Sequence, residues 1–308
     1  MIRNAFHGHD PAGKLFSFER ARPGVVELFV TVFKIGGVNV NYFSSQCWVP
    51  FCFSLCAVAA QAQTVDADGK AAPAAAPAPS FTANVTVASQ YVSRGFRQTW
   101  GKPALQGGLD YAHPSGWSLG TWLSTVSNRF AENATLEWDV YGGYAGTLGD
   151  VGYSGMLYYY NYPGAEYRAT ATKYDYGEFA LGLSYRFLYA KYYYTVTQDF
   201  FGIKHARGTG YLDAGANVDL GSGYTLILHA GNGRVAGAGN DIWNWRDVKV
   251  GLSKAFDGGW TATAAYTRAK GASDAYDAYT LGIANSAGVI ETSNPASGTL
   301  VVSLTKTF

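Results

Sequence analysis

Few side chains in this sequence are spaced to do covalent chemistry. Cys47, Cys52 and Cys56 all fall in the first 56 residues, and their spacing is not that of a metal site. Downstream of them only His113, His205 and His229 offer an imidazole. The first falls in a turn and the second in a polar loop, where both would be solvated. The third shares the inward parity of its run, where hydrogen bonding is the expected role. No serine with a pairing acid accompanies His229 in segment order, and a glycine-rich phosphate loop is absent. An enzyme is not expected, and the pattern calls for no cofactor and no metal. What remains is charge. Arg94 and Arg97 bracket Gly95, which lets the chain bend, while Asp110, Glu137, Asp139, Lys191, Asp247 and Lys249 lie on the polar faces of alternating runs. If those runs enclose an interior, Arg94 is expected to pair with an inward acid such as Asp110, Glu137 or Asp139. The pair would either brace the interior as a structural bridge or present a charge to solute. Arg94, Arg97, Asp110, Glu137, Asp139, Lys191 and Lys249 form the candidate constriction, and their mixed sign predicts no strong ion selectivity.

The runs themselves have the period of strands. In GTLVVSLTKTF, residues 298–308, Leu300, Val302, Leu304 and Phe308 share one face and Thr299, Ser303, Thr305 and Thr307 the other. Lys306 breaks the apolar face only near a rim, where its stem can reach water. About twelve such segments follow residue 81, near 81–92, 103–112, 117–127, 134–146, 150–160, 175–187, 189–197, 209–220, 223–231, 246–256, 259–269 and 298–308. Tight connections such as HPSG at 113–116 and DGG at 257–259 alternate with long polar ones, notably 161–174 and 270–297. Short turns at one end and long loops at the other predict an all-β, transmembrane, antiparallel up-and-down barrel of about 12 strands in the outer membrane of a Gram-negative bacterium. By parity, Tyr141, Tyr158, Tyr160 and Tyr193 narrow the interior, while Trp117, Tyr144, Tyr159, Phe187, Tyr211, Tyr224, Trp260 and Phe308 are expected in the aromatic girdles. Arg186 is assigned to the inner face. A soluble two-sheet protein would also line strands with Tyr and Trp, but it would not explain the loop asymmetry together with an export signal.

That signal is VPFCFSLCAVAAQAQ, residues 49–63: an apolar run, then Ala60 and Ala62 in an A-x-A pattern that predicts cleavage near 62/63. Residues 1–62 read as an early start plus signal peptide, 63–80 as an Ala/Pro-rich periplasmic linker, and 81–308 as the barrel. An anchor across 25–60 is the poorer reading, because KIGG and NVNYFSSQ interrupt it. Removing residues 1–62 takes five Lys or Arg from 23 and three Asp or Glu from 22, changing the charge from +1 to −1. No basic field remains for nucleic acid.

One stretch is more specific. YVSRGFRQTWGKPALQGGLDYAHPSGWSLGTWLSTVS, residues 91–127, with LEWDVYGGYAG at 136–146 and YYYNYPG at 158–164, resembles the TorF family of porins across about 81–308. The resemblance implies an outer-membrane barrel with channel function: a narrow passive route for small solutes. A plugged structural or adhesive barrel, with the loop 270–297 contacting an external partner, is the alternative. Expected partners are outer-membrane lipid, small solutes and, through the strand ending in Phe308, the barrel assembly machinery.

Overall fold

The computed structural model describes residues 79–308 and two short strands, His7–His9 and Leu15–Ser17. Those two pair antiparallel, His7 opposite Ser17, in a unit of their own. The expected signal peptide and nearly all of the linker lie outside the described residues, and Ser80, assigned above to the linker, already begins a strand.

The barrel strands are β1 (Ser80–Ala88), β2 (Ala104–Ala112), β3 (Trp117–Thr125), β4 (Leu136–Leu148), β5 (Val151–Asn161), β6 (Tyr176–Tyr185), β7 (Leu188–Thr195), β8 (Gly210–Gly221), β9 (Tyr224–Arg234), β10 (Trp245–Phe256), β11 (Trp260–Gly271) and β12 (Thr299–Thr307). Each pairs antiparallel with the next, and β12 returns to β1, so the sheet closes with twelve strands and no free edge. Closure extends into Phe308, whose N–H donates to the Ala83 carbonyl at 2.9 Å. Tight turns gather at one rim and the long links at the other.

Alternation along each strand decides which side chains meet lipid. On β6, Phe179, Leu181 and Leu183 are exposed while Glu178, Ala180 and Gly182 are buried. The same pattern exposes Leu105 and Leu109 on β2, Leu119 on β3, Val250 on β10 and Leu300 and Val302 on β12. In water so large an apolar belt would be a liability; in a bilayer it is the surface that meets hydrocarbon. This is an outer-membrane barrel, and it crosses with strands: no described helix is long and apolar enough to cross a membrane.

Aromatic and basic side chains mark the short-turn rim. Trp117 meets Tyr144 edge-on at 5.5 Å, and the Lys306 ammonium lies over the rings of Trp260 and Phe308 while donating to the Gly258 carbonyl. Two expectations are corrected here. Arg186 and Phe187 form the β6–β7 turn, with Arg186 at φ 53°, so Arg186 is exposed with its guanidinium 5.1 Å from the Tyr185 ring instead of facing inward. Tyr211 shares the inward parity of Asp213 and is 2% exposed, which removes it from the girdle.

Candidate functional site

The first long link, between β1 and β2, does not stay at the rim. Val92–Ser93 pairs with Phe96–Arg97 as a miniature hairpin whose two tip residues are Arg94 (φ 48°) and Gly95 (φ 83°). Both tip residues having positive φ is the type I′ arrangement that matches strand twist. Gly95 has no alternative there: a Cβ would lie 2.6 Å from the Cβ of Ala269 on β11 and 2.7 Å from that of Asp247 on β10. The tip is therefore pressed against that wall. Just before the hairpin, Tyr91 packs edge-on against Trp122 of β3 at 5.3 Å.

From this tip the Arg94 side chain reaches the opposite wall. Its Nη1 donates to Glu178 Oε1 at 3.0 Å and its Nη2 to Oε2 at 2.5 Å, a bidentate fork on β6. The guanidinium also lies 4.8 Å from the Tyr193 ring centroid on β7 and 4.5 Å from that of Tyr211 on β8. Glu178 is fully buried. In a ring of twelve strands β7 stands opposite β1, so the link that leaves β1 spans the lumen. An arginine in the left-handed region is uncommon and costs about 1–2 kcal/mol, and the bidentate bridge offsets that cost.

The wall receiving Arg94 is a belt of tyrosines. Tyr158 (β5) meets Tyr141 (β4), Tyr160 (β5) and Tyr193 (β7), and the belt continues from Tyr160 to Tyr176 (β6) and from Tyr193 to Tyr211 (β8), at centroid spacings between 4.5 and 6.1 Å. Tyr211 then stacks on Trp245 at 5.6 Å. Beside them runs a polar cluster. His229 stands between Asp213, 2.9 Å from Nδ1, and Asp247, 2.6 Å from Nε2. The Tyr211 hydroxyl donates to both Asp247 oxygens at 3.0 and 3.1 Å. In register, Lys191 faces Asp213 and Lys249 faces His229.

Arg94 does reach an inward acid, but the acid is Glu178 rather than Asp110, Glu137 or Asp139. Asp110 instead accepts from the Tyr141 hydroxyl at 2.7 Å, and the Arg94 side chain projects from the tip toward β6. Glu137 and Asp139 are buried on β4, each with one oxygen, Oε2 and Oδ1, lacking a partner. Arg97 points out of this group and donates to Ser293 Oγ at 2.9 Å and the Asn294 carbonyl at 2.7 Å, tying the first link to the last. His113 contacts Ser115 Oγ at 2.6 Å within its turn. Glu178 and the His229 cluster carry inward parity in the sequence, but nothing local tells which inward acid the arginine meets, because the meeting depends on a long-range crossing.

Two cavities share Ser93 and Arg94 in their walls. The outer one, about 430 Å³, is aromatic, with Phe96, Phe130, Tyr174, Phe201 and Tyr279 among its lining. The inner one, about 320 Å³, is polar, lined among others by Gln90, Asp139, Asp213, His229 and Lys249. Among the described residues no group of three or more His, Cys, Asp or Glu could hold a metal ion.

No curated protein matches the sequence. Several solved structures align with it. The KdgM porin aligns at 8% identity over 74% of this chain and 99% of that one with a TM-score of 0.47. The NanC porin aligns at 12% identity over 73% and 97% with a TM-score of 0.43. OccD3 (OpdP) of Pseudomonas aeruginosa aligns at 12% identity over 73% and 60% with a TM-score of 0.34. The family described as "Bacterial protein of unknown function (Gcw_chp)" matches residues 71–308, which takes in every barrel strand. The chain thus belongs to the Gcw_chp family.

Proposed function

We propose that the barrel is a passive channel for small solutes whose narrowest point is the Arg94 hairpin. The observation that carries this reading is the division of the interior into an outer and an inner cavity that share Ser93 and Arg94. A barrel built only as a scaffold has no need of two chambers, one aromatic and one lined by charged groups. The cavity volumes suit small molecules, and passage would depend on width and on lining charge, with no catalytic step. Arg94, Asp139, Lys249 and, behind them, Glu137 and Lys191 are the groups a solute would meet. Asp110 and Arg97 would act by bracing, the first through Tyr141 and the second through the last link. The resemblance to the TorF porins supports the same reading. The barrel assembly machinery is the expected partner of β12, where the Phe308 ring is 71% exposed on the outer surface.

The plugged reading has its own support. Tyr279 donates to the Phe130 carbonyl at 2.8 Å, Arg129 pairs with Glu291 and Arg168 with Glu132, so the links lie tied together over the mouth. Single-channel recording of refolded residues 63–308 in a planar bilayer under a salt gradient separates the two. Discrete reproducible steps support the channel. A barrel with the heat-modifiable mobility of a folded protein that stays electrically silent refutes it in favour of the plug.

A further inference from the structure

Side chains that line the inner chamber hold buried acceptor oxygens without a partner. Asp139 lines it with only 8% of its surface exposed, and its Oδ1 has no partner. Gln90 lines it too, with Oε1 unpartnered while its Nε2 donates to Thr299. Glu137, two residues before Asp139 on the same face, is hydrogen-bonded by Tyr91 and Tyr162 yet keeps Oε2 unpartnered. Asp139 lies within electrostatic reach of Glu137, Glu178 and Arg94. Three buried carboxyl groups thus share a single guanidinium, and that guanidinium donates through both Nη1 and Nη2 to Glu178. Buried polar atoms left unpaired are costly and in native proteins call for a partner. An occupant that brings N–H donors would satisfy them.

The way Arg94 is held indicates what such an occupant looks like. A carboxylate fork and two tyrosine faces form a guanidinium receptor, and the protein fills it with its own side chain from the first link across the lumen. We propose that the Asp139–Glu137–Glu178 wall is a binding site for the guanidinium or ammonium head of a small organic solute, with Arg94 as its built-in competitor. Solute first docks at the open acceptor of Asp139, with Glu137 behind it, and displacement of Arg94 from Glu178 completes the site. The inference rests on the channel reading for its meaning, since it names the solute class that the chamber would pass.

The test is calorimetric titration of argininamide into folded residues 63–308 in detergent. Wild type should bind, and Asp139→Asn, which leaves the Arg94–Glu178 bridge intact, should bind about tenfold more weakly or worse, with Glu137→Gln moving the same way. Arg94→Ala should bind about tenfold more tightly, because it vacates the fork; heat-modifiable mobility checks that each variant is folded. Absence of binding to wild type and to Arg94→Ala, or equal binding by wild type and Asp139→Asn, overturns the proposal and means that protons neutralise these carboxyls. The two readings fail separately. A conducting barrel that ignores argininamide loses this site and keeps the channel, whereas a silent barrel that binds it keeps the site and loses the channel.

Discussion

Replacing Glu178 by Gln leaves the shape of the lumen almost unchanged while removing the anion that pins the hairpin. In wild type the closed arrangement holds a fully buried carboxylate and a guanidinium together through hydrogen bonds of 3.0 and 2.5 Å. Removing one partner of a buried pair costs about 3–5 kcal/mol, because the other charge is left desolvated. That cost falls on the closed arrangement alone, since an Arg94 swung away from the wall is hydrated. The two cation–π contacts with Tyr193 and Tyr211 survive and hold back about 1 kcal/mol of the effect. A net shift of about 3 kcal/mol multiplies the ratio of open to closed hairpin by about a hundredfold. Single-channel recording should accordingly show Glu178→Gln spending far more time at a larger conductance than wild type at the same voltage and salt. Equal dwell-time distributions for the two folded proteins would refute the latch, and with it the assignment of Arg94 as the narrowest point.

Other perturbations report on other links of the argument. Gly95→Ala forces a Cβ against Ala269 and Asp247 and should open the same route without touching any charge, seen as raised conductance in a barrel of unaltered heat-modifiability. Leu181→Arg on the lipid face should destabilise by about 2–4 kcal/mol in urea unfolding from vesicles, whereas Asn217→Lys in the lumen should change stability little. Burial pushes the Tyr174 phenol, in the link after β5, up to about 12. Because the folded state holds this proton more tightly, its contribution is intact below about pH 10 and is lost as pH rises toward 12. Absorbance near the phenolate band, followed in Tyr174→Phe beside wild type, checks that window. Deleting Phe308 removes the 2.9 Å bond to Ala83 and should lower the folded fraction after refolding, read as loss of the fast-migrating band on unheated gels.

Strand number and lipid face were legible in the sequence because both follow from a period of two that survives any detail of packing. Leu181 and Glu178 differ by an odd number of positions, and that alone separates lipid from lumen. Tyr211 was misread because an aromatic near a strand end suggests an interface on composition, although its parity with Asp213 points inward. Arg186 was misread because parity cannot register that a strand has stopped: the turn at Arg186 and Phe187 carries no glycine to announce it. The partner of Arg94 lay beyond local reading altogether. Glu178 is 84 residues away, and only the crossing of the first link, enforced by Gly95 against β10 and β11, brings the two together. Arg97 shows the same limit, since its acceptors Ser293 and Asn294 belong to the last link.

The seam between β1 and β12 bears on how the molecule must be made. Its register runs only from Ser303 opposite Ala88 to Thr307 opposite Asn84, while the neighbouring β10–β11 pairing runs from Trp245 opposite Gly271 to Phe256 opposite Trp260. Across it, the Thr86 and Thr305 hydroxyls meet at 2.8 Å over a separation of 219 residues. All other strand pairs are sequence neighbours and can zip as hairpins, but this one repays its loop-closure entropy only when the rest of the sheet already stands. Until then both edges of the sheet are unpaired templates for other chains. The shortest pairing therefore decides the fate of the whole: folding rate, exposure to aggregation and resistance to mechanical or lateral opening are set at β1–β12, and a disulfide or an added hydrogen bond there would change them more than the same change anywhere else around the ring.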